Sequence, residues 1–474
     1  MSPAGTVDTH PRRADPGTVP LLTRIAALLA PALASALAGG LLLTPSPALA
    51  ADRCDDQRSI VSLPRSIGAD RFHTYRGAQG PLEDLPRGTV LKSRTLAYSL
   101  GGLPLPVEVE QILYRSNDAR GCATANATSV LKPPLPLNPD RVVAYQSFYD
   151  SLDPTHGPSY TFAGSTDPGA QVANVELTQI AAFLTAGYTV VVADTQGPTA
   201  DFAAGPEYGR TTLDSLRAAI RHPGAGIPRR PDIGLYGYSG GAIGTAWAAS
   251  LAPRYAPAID RLLVGAANGG VLVFPHHNLG YVLGSKIWAG VAPMALIGVS
   301  RAYDIDLAPY LNRQGKRLVR QMRDDSIAEV LGAYPGLRKK DFLKKRFRDI
   351  RTIRPYVRTV NKLNLGRRPV PTTPVFLGQG ANGTLEGTRN DQPVGAGDGV
   401  MIAGDVRALA RRWCRLGNDQ VVHRQYDLTS HFTTIAAWQP DATAWLLGQF
   451  EGVSRPSSCG AIAPGNGLAP VRAR

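Results

Sequence analysis

The residues Gly237-Tyr238-Ser239-Gly240-Gly241 form a G-x-S-x-G pentapeptide, a spacing suited to a serine hydroxyl carried on a tight strand-to-helix turn. Small residues on either side are what such a turn needs, because it presses backbone against backbone. Gly241-Ala242 and Gly244 would also let the following helix pack closely on a sheet. The motif alone arises often by chance. Its weight here comes from its setting, an apolar run at residues 233–236 before it and a helix-forming run at 242–251 after it. The chemistry this would support is nucleophilic attack on an ester carbonyl, with an acyl-enzyme that water then releases.

A serine hydroxyl is a weak nucleophile until a histidine takes its proton, and the histidine needs a carboxylate to hold its tautomer. With this type of serine turn the partners follow in the chain order serine, acid, histidine. Of the eight histidines, only His423 and His431 lie late enough. His423 falls inside a strand-like run, residues 420–427. His431, in Leu428-Thr429-Ser430-His431-Phe432, is expected in a loop beyond that strand, where a base belongs. The acid is expected in the loop after the apolar run 374–378, where Glu386, Asp391, Asp398 and Asp405 are available. Asp398, followed by Gly399-Val400-Met401 and a helix, is favoured over Asp391; the bland reading of either is a turn or cap residue. Asp405, inside that helix, reads as a packing or surface residue. The oxyanion needs donors: one is the backbone N–H of Gly240, and the second is expected from a loop after an early strand, where Tyr149-Asp150-Ser151 stands. The bland reading of that tripeptide is an ordinary Asp-Ser turn.

The elements that must position these groups alternate between strand and helix. Residues 90–96, 107–114 and 141–148 alternate in the manner of strands. Residues 174–186 read as a helix closed by Gly187, and 188–193 as a strand buried on both faces. A helix at 211–220 and a short strand at 233–236 lead into the serine turn. After the block 265–368, the strand 374–378, helix 401–416 and strand 420–427 resume the pattern. Strands alternating with helices imply a mostly parallel central sheet with crossover helices, and such sheets place their chemistry at the carboxyl ends of the strands. The fold class expected is α/β, an α/β-hydrolase fold with an inserted helical cap.

The boundaries expected are a leader at 1–50, a first core segment at 51–264, the cap at 265–368, a second core segment at 369–453 and a loose tail at 454–474. Within the leader, Arg12, Arg13 and Arg24 precede an Ala/Leu-rich run at 25–43, which ends in Ala48-Leu49-Ala50, a small-x-small signal for cleavage after Ala50. This predicts export; the competing reading is an uncleaved anchoring helix. Four cysteines, Cys54, Cys122, Cys414 and Cys459, follow the cleavage site and suggest two disulfides. Three pairings are open, and sequence proximity favours Cys54 with Cys122 and Cys414 with Cys459. No cysteine or histidine spacing suggests a metal, and no cofactor is implied. The formal charge is +14, with a dense cationic run from Arg338 to Arg354 in the cap. Without nucleic-acid motifs, this charge points to an anionic membrane or envelope surface, or simply to a solvated basic face.

Taken together, the pentapeptide, Tyr145-Gln146-x-x-Tyr149-Asp150-Ser151, Gly187-Tyr188-x-Val190-Val191-Val192-x-Asp194 with Gly197-Pro198, and the series Asp398, Trp413-Cys414, His431 resemble the secretory lipase family, the yeast lipase A type with its actinobacterial relatives. The resemblance covers residues 90–450. It implies an α/β-hydrolase with a helical cap, acting without a cofactor on acylglycerols and related lipid esters, with Ser239, Asp398 and His431 as the triad and Asp150 and Gly240 at the oxyanion hole. Thr195 and Gln196 stand where relatives tend to have an aromatic and an acidic residue, and residues 382–397 lengthen the acid loop. An envelope acyltransferase using the same triad is the alternative from another reaction class. A non-catalytic surface-binding protein on the same fold would be expected to have lost a triad member.

Overall fold

The computed structural model describes Cys54, residues 70–453 and residues 455–474. The expected leader, residues 1–50, lies outside them. Nine strands form one sheet: β1 (Val90–Leu100), β2 (Leu103–Asn117), β3 (Ala123–Leu131), β4 (Arg141–Gln146), β5 (Thr189–Ala193), β6 (Asp232–Tyr238), β7 (Leu263–Gly269), β8 (Val375–Gly380) and β9 (Val421–Tyr426), in the order β1-β2-β3-β5-β4-β6-β7-β8-β9. β1 to β3 are antiparallel, joined by short turns; β3 also runs antiparallel to β5, and from β5 to β9 every pairing is parallel. The parallel strands are continuous apolar runs because both faces are covered. Val190, Val191 and Val192 on β5 and Val142, Val143 and Ala144 on β4 are all buried.

The helices of eight or more residues are α1 (Leu177–Thr185), α2 (Gly205–Arg221), α3 (Gly240–Tyr255), α4 (Pro275–Val282), α5 (Val291–Ala302), α6 (Arg313–Met322), α7 (Arg354–Lys362), α8 (Ala403–Arg415) and α9 (His431–Phe450). Among them α2 and α3 pack on one face of the sheet, where Leu213, Leu216, Ala248 and Ala252 share a core with Ile233 and Leu235. α9 crosses the other, with Trp438, Trp445 and Leu446 buried in a core that also holds Tyr236 and Val375.

The insertion starts later than expected. Residue 265 falls inside β7, which pairs with both β6 and β8, so the helical block spans residues 270–374. Two glycines of β7 are required by bulky neighbours: a Cβ on Gly265 would lie 3.0 Å from the Trp445 ring, and one on Gly269 would lie 2.5 Å from Tyr238. Within the insertion lie α6 and one further turn at Ile327–Val330. Asn312 sets the start of α6, its side chain accepting from the Gly315 N–H at 2.8 Å.

α6 turns Gly315, Leu318, Val319 and Met322 inward and Arg313, Lys316, Arg317 and Arg320 outward. The inward face borders an apolar cavity bounded also by Leu279 of α4, Leu296 of α5, Lys339 and Ile353. Two backbone hydrogen bonds fasten the insertion to the loop after β4, Ile327 N–H to Asp150 C=O at 2.9 Å and Leu152 N–H to Asp325 C=O at 3.0 Å. The buried guanidinium of Arg301 on α5 donates to the carbonyls of Leu152, Thr199 and Arg323, joining the insertion to two core loops. Buried charge of this kind is tolerated only when its donors are satisfied.

The tail, expected to be loose, is held in place. Cys459 is disulfide-bonded to Cys414 on α8, Asn466 donates to Asp405 at 2.7 Å, Val471 N–H donates to Asn361 at 2.8 Å, and Ile462 is buried. The second disulfide joins Cys54 to Cys122, so both bonds follow the pairing that sequence proximity favours. Among the described residues, no helix is long and apolar enough to cross a membrane.

Candidate active site

β6 ends at Tyr238 and α3 begins at Gly240, which leaves Ser239 alone on the turn with φ 55° and ψ −120°. That backbone conformation is strained for a residue with a Cβ, and it persists because the surroundings over-determine it. The Ser239 N–H donates to the Gly269 carbonyl at 2.8 Å. A Cβ on Gly237 would lie 2.6 Å from the Gly241 backbone, one on Gly241 would collide with the Gln146 carbonyl, and one on Gly240 would overlap the Asp150 carboxyl. The glycines of the motif are therefore required sterically, each by a different neighbour.

His431 and Asp398 meet Ser239 here. His431 Nε2 is 2.8 Å from Ser239 Oγ, and His431 Nδ1 is 2.7 Å from Asp398 Oδ2. All three residues are fully buried. Asp398 Oδ1 accepts from the N–H groups of Val400 and Met401, and its Oδ2 accepts from Gln379 Nε2 at 2.8 Å, so the carboxylate is fixed from both sides. His431 is the first residue of α9 rather than part of a loop; Ser430 is the N-cap, and Tyr238 Oη donates to the His431 carbonyl at 2.7 Å. The remaining acid candidates separate cleanly. Asp391 is exposed and paired with Arg389, and Asp405 binds His277 at 2.9 Å. Glu386 is buried near His431, with Oε1 accepting from Phe432 N–H and Oε2 from the Trp288 indole. His423 lies on β9 opposite Leu377, and burial pushes its imidazole down to about 4.

The loop after β4 brings Asp150 against Gly240. Asp150 is fully buried; its Oδ1 accepts from Gln196 Nε2 at 3.3 Å, while Oδ2 has no hydrogen-bond partner in the protein. Burial first, and then the nearby Glu176 carboxyl, push Asp150 well above the usual carboxylate range. A protonated carboxyl here can donate to an oxyanion beside the Gly240 N–H. Gln196 also accepts from Ser151 N–H at 3.2 Å, so the residue that departs from the family pattern is a support of this loop. Glu176 is a second support. It accepts from Phe148 N–H at 2.9 Å, Tyr145 Oη at 3.0 Å and Ser147 Oγ, and burial raises it to about 8. Neither Glu176 nor Trp288 carries a motif that would single it out in the sequence. Among the described residues no group of three or more His, Cys, Asp or Glu could hold a metal ion.

The mixed nine-stranded sheet with helices on both faces and the serine turn at the end of β6 define an α/β-hydrolase, and the comparisons place it among carboxylic ester hydrolases of the lipase and esterase type. The chain belongs to the secretory lipase family, whose family model matches residues 166–457. It is similar to Lipase 2 of Candida albicans, at 28% identity over 427 residues, covering 85% of this chain and 84% of that one. It is also 28% identical over 375 residues to a Mycobacterium tuberculosis protein described as a probable inactive lipase, covering 77% of this chain and 79% of that one. The fold resembles the crystal structure of Candida antarctica lipase A, with a TM-score of 0.73 at 23% identity, covering 87% of this chain and 92% of that one.

Proposed function

We propose that this protein is an exported serine hydrolase that cleaves the carboxylic esters of lipids through an acyl-enzyme on Ser239. The observation that carries the reading is the continuous hydrogen-bonded series Ser239, His431, Asp398, with no water-exposed member. Ser239 Oγ attacks the carbonyl carbon while His431 Nε2 takes the hydroxyl proton and hands it to the departing alcohol. Asp398 holds the ring and offsets the imidazolium charge. The Gly240 N–H and the Asp150 carboxyl donate to the oxyanion, and water, deprotonated by His431, releases the acid.

A lipid substrate is supported by the apolar cavity within the insertion, which we assign to the acyl chain. α4 connects the two regions: Leu279 lines the cavity, while the Tyr281 hydroxyl lies 3.3 Å from Asn390 in the acid loop. The same block supports contact with an anionic membrane or envelope surface. Residues 313–354 hold fourteen Lys and Arg against five Asp and Glu, with the α6 cations turned outward. Two disulfides and the leader-like sequence at 1–50 support export.

One assay set tests these statements: wild type and Ser239→Ala on short- and long-chain p-nitrophenyl esters, and on emulsions with and without anionic lipid. Ser239→Ala is expected to lose about 10⁴-fold or more in kcat; retained turnover would sink the nucleophile assignment. Wild type is expected to work faster on the anionic emulsion, with the advantage gone near about 1 M salt. Equal rates on the two emulsions would remove the surface contact.

A further inference from the structure

Beside the hydrogen-bonded series lies a carboxyl that the reaction above does not use. Glu386 follows β8 on the turn Gly383–Glu386, and both its oxygens are spent on groups that hold the base. Oε1 accepts from the N–H of Phe432, the residue after His431, at 2.7 Å. Oε2 accepts from Trp288 Nε1 at 2.6 Å, and the Trp288 ring stands edge-to-face against the His431 imidazole with 5.4 Å between centroids. Room for this arrangement is made by Gly399, φ 129°, directly after Asp398: a Cβ there would lie 2.6 Å from Glu386 Oε2 and 2.7 Å from Trp288 Nε1. The acid loop is thus shaped to admit a second carboxyl next to the base.

We propose that Glu386 is a positioning residue of this site, acting through His431: it fixes the first turn of α9, clamps Trp288 against the imidazole, and when ionised adds negative charge beside the imidazolium formed in catalysis. The inference rests on the reading of His431 as the base. Burial disfavours the ionised carboxyl and prevails over His431, the Ser430 hydroxyl and the Phe432 N–H, which favour it: Glu386 is raised to about 7. The groups facing it are few. His431 lowers it, Asp398 beyond the ring raises it, the Tyr238 and Tyr281 phenols lie on the same side, and the stem of Lys286 lies along Gly387. The sign follows. Below neutral pH Glu386 is protonated and the imidazolium lacks its second anionic neighbour; as pH rises through about 7 the charge appears and acyl transfer quickens.

The test is the pH profile of kcat and KM for a soluble ester with wild type, Glu386→Gln and Glu386→Asp. Glu386→Gln is expected to lower kcat about tenfold at pH 8 with KM little changed. Its profile should lose the inflection near neutrality, and its acid limb should move to lower pH, because the base has lost a neighbour that favours its charged form. Glu386→Asp should restore an inflection. A Glu386→Gln profile that superimposes on wild type overturns the proposal. If Glu386→Gln does not fold, Trp288→Phe takes its place: it removes one hydrogen bond to the carboxylate, so the inflection should move to higher pH, and an unmoved inflection overturns the proposal equally. Should Ser239→Ala remain active, the underlying reading fails; an inactive Ser239→Ala with an unaltered Glu386→Gln profile defeats this inference alone.

Discussion

At the scale of single residues, the unusual group is Asp150, an acid whose environment keeps it from behaving as one. No cation compensates it, Gln196 satisfies one oxygen, and the other faces the backbone of Gly240 without a partner. A buried, unpaired carboxylate would be costly, so the proton stays on, and the same proton becomes useful once an oxyanion forms. The prediction separates these two functions of the side chain. Asp150→Asn keeps the size and a donor and is expected to hold kcat within about tenfold of wild type, whereas Asp150→Ala removes the donor and should cost about 10²- to 10³-fold. Measured on a short-chain ester, an Asp150→Ala enzyme as fast as Asp150→Asn would take Asp150 out of the oxyanion hole.

At the scale of elements, the insertion combines two surfaces in one helix. The inward face of α6 lines the cavity, and its outward face carries cations. If acyl chains occupy the cavity, filling it should select against length. Val319→Trp, assayed across acyl lengths, is expected to lower kcat/KM for long-chain esters about tenfold or more while leaving short-chain esters within about twofold, since a few methylenes excluded from an apolar site are worth about 1–3 kcal/mol. Equal losses at all lengths would move the acyl site elsewhere. The elements also show what could be read from the chain beforehand. β5, β6 and the start of α3 were legible because β-branched runs and the glycine motif carry their own constraints. β7 was not: the bulk that identifies a strand sits on its neighbours, Tyr238, Trp438 and Trp445, and two of its own residues, Gly265 and Gly269, had to be small. α9 was hidden by Pro440 in its interior, so His431 read as a loop residue although its order in the chain already marked it. Choosing Asp398 over Asp391 and Glu386 depended on how the loop 381–402 folds, with Asp391 turned to solvent and the other two inward. The run Gly399-Val400-Met401 after Asp398 pointed to that residue, but nothing local records which side chains of the loop turn inward.

At the scale of the whole molecule, the buried titratable groups make stability depend on pH in a definite direction. Among the carboxyls raised by burial, Glu176 is pushed to about 8 and Asp194 and Glu386 to about 7. Three imidazoles, His73, His276 and His423, are lowered by burial to about 4. Between pH 4 and 6.5 the two sets oppose each other: the folded chain holds more protons on the carboxyls, while the unfolded chain holds more on the histidines. Above about 6.5 the histidines of the unfolded chain lose their remaining protons within about one pH unit, so their opposing effect fades and the carboxyls dominate. The folded state then binds more protons than the unfolded one, so stability falls as pH rises. From pH 6.5 to 8 these three carboxyls together should cost on the order of 3 kcal/mol, and Asp150, also raised by burial, acts in the same sense. Thermal unfolding followed across this range is expected to show a falling Tm, with a shallower fall in Glu176→Gln, which has no proton to lose at that position. A Tm that rises from pH 6.5 to 8, or a slope unchanged by Glu176→Gln, would mean that these carboxyls are ionised in the folded protein at neutral pH. The proton assigned to Glu386 would then be in question as well, because the same burial holds it there.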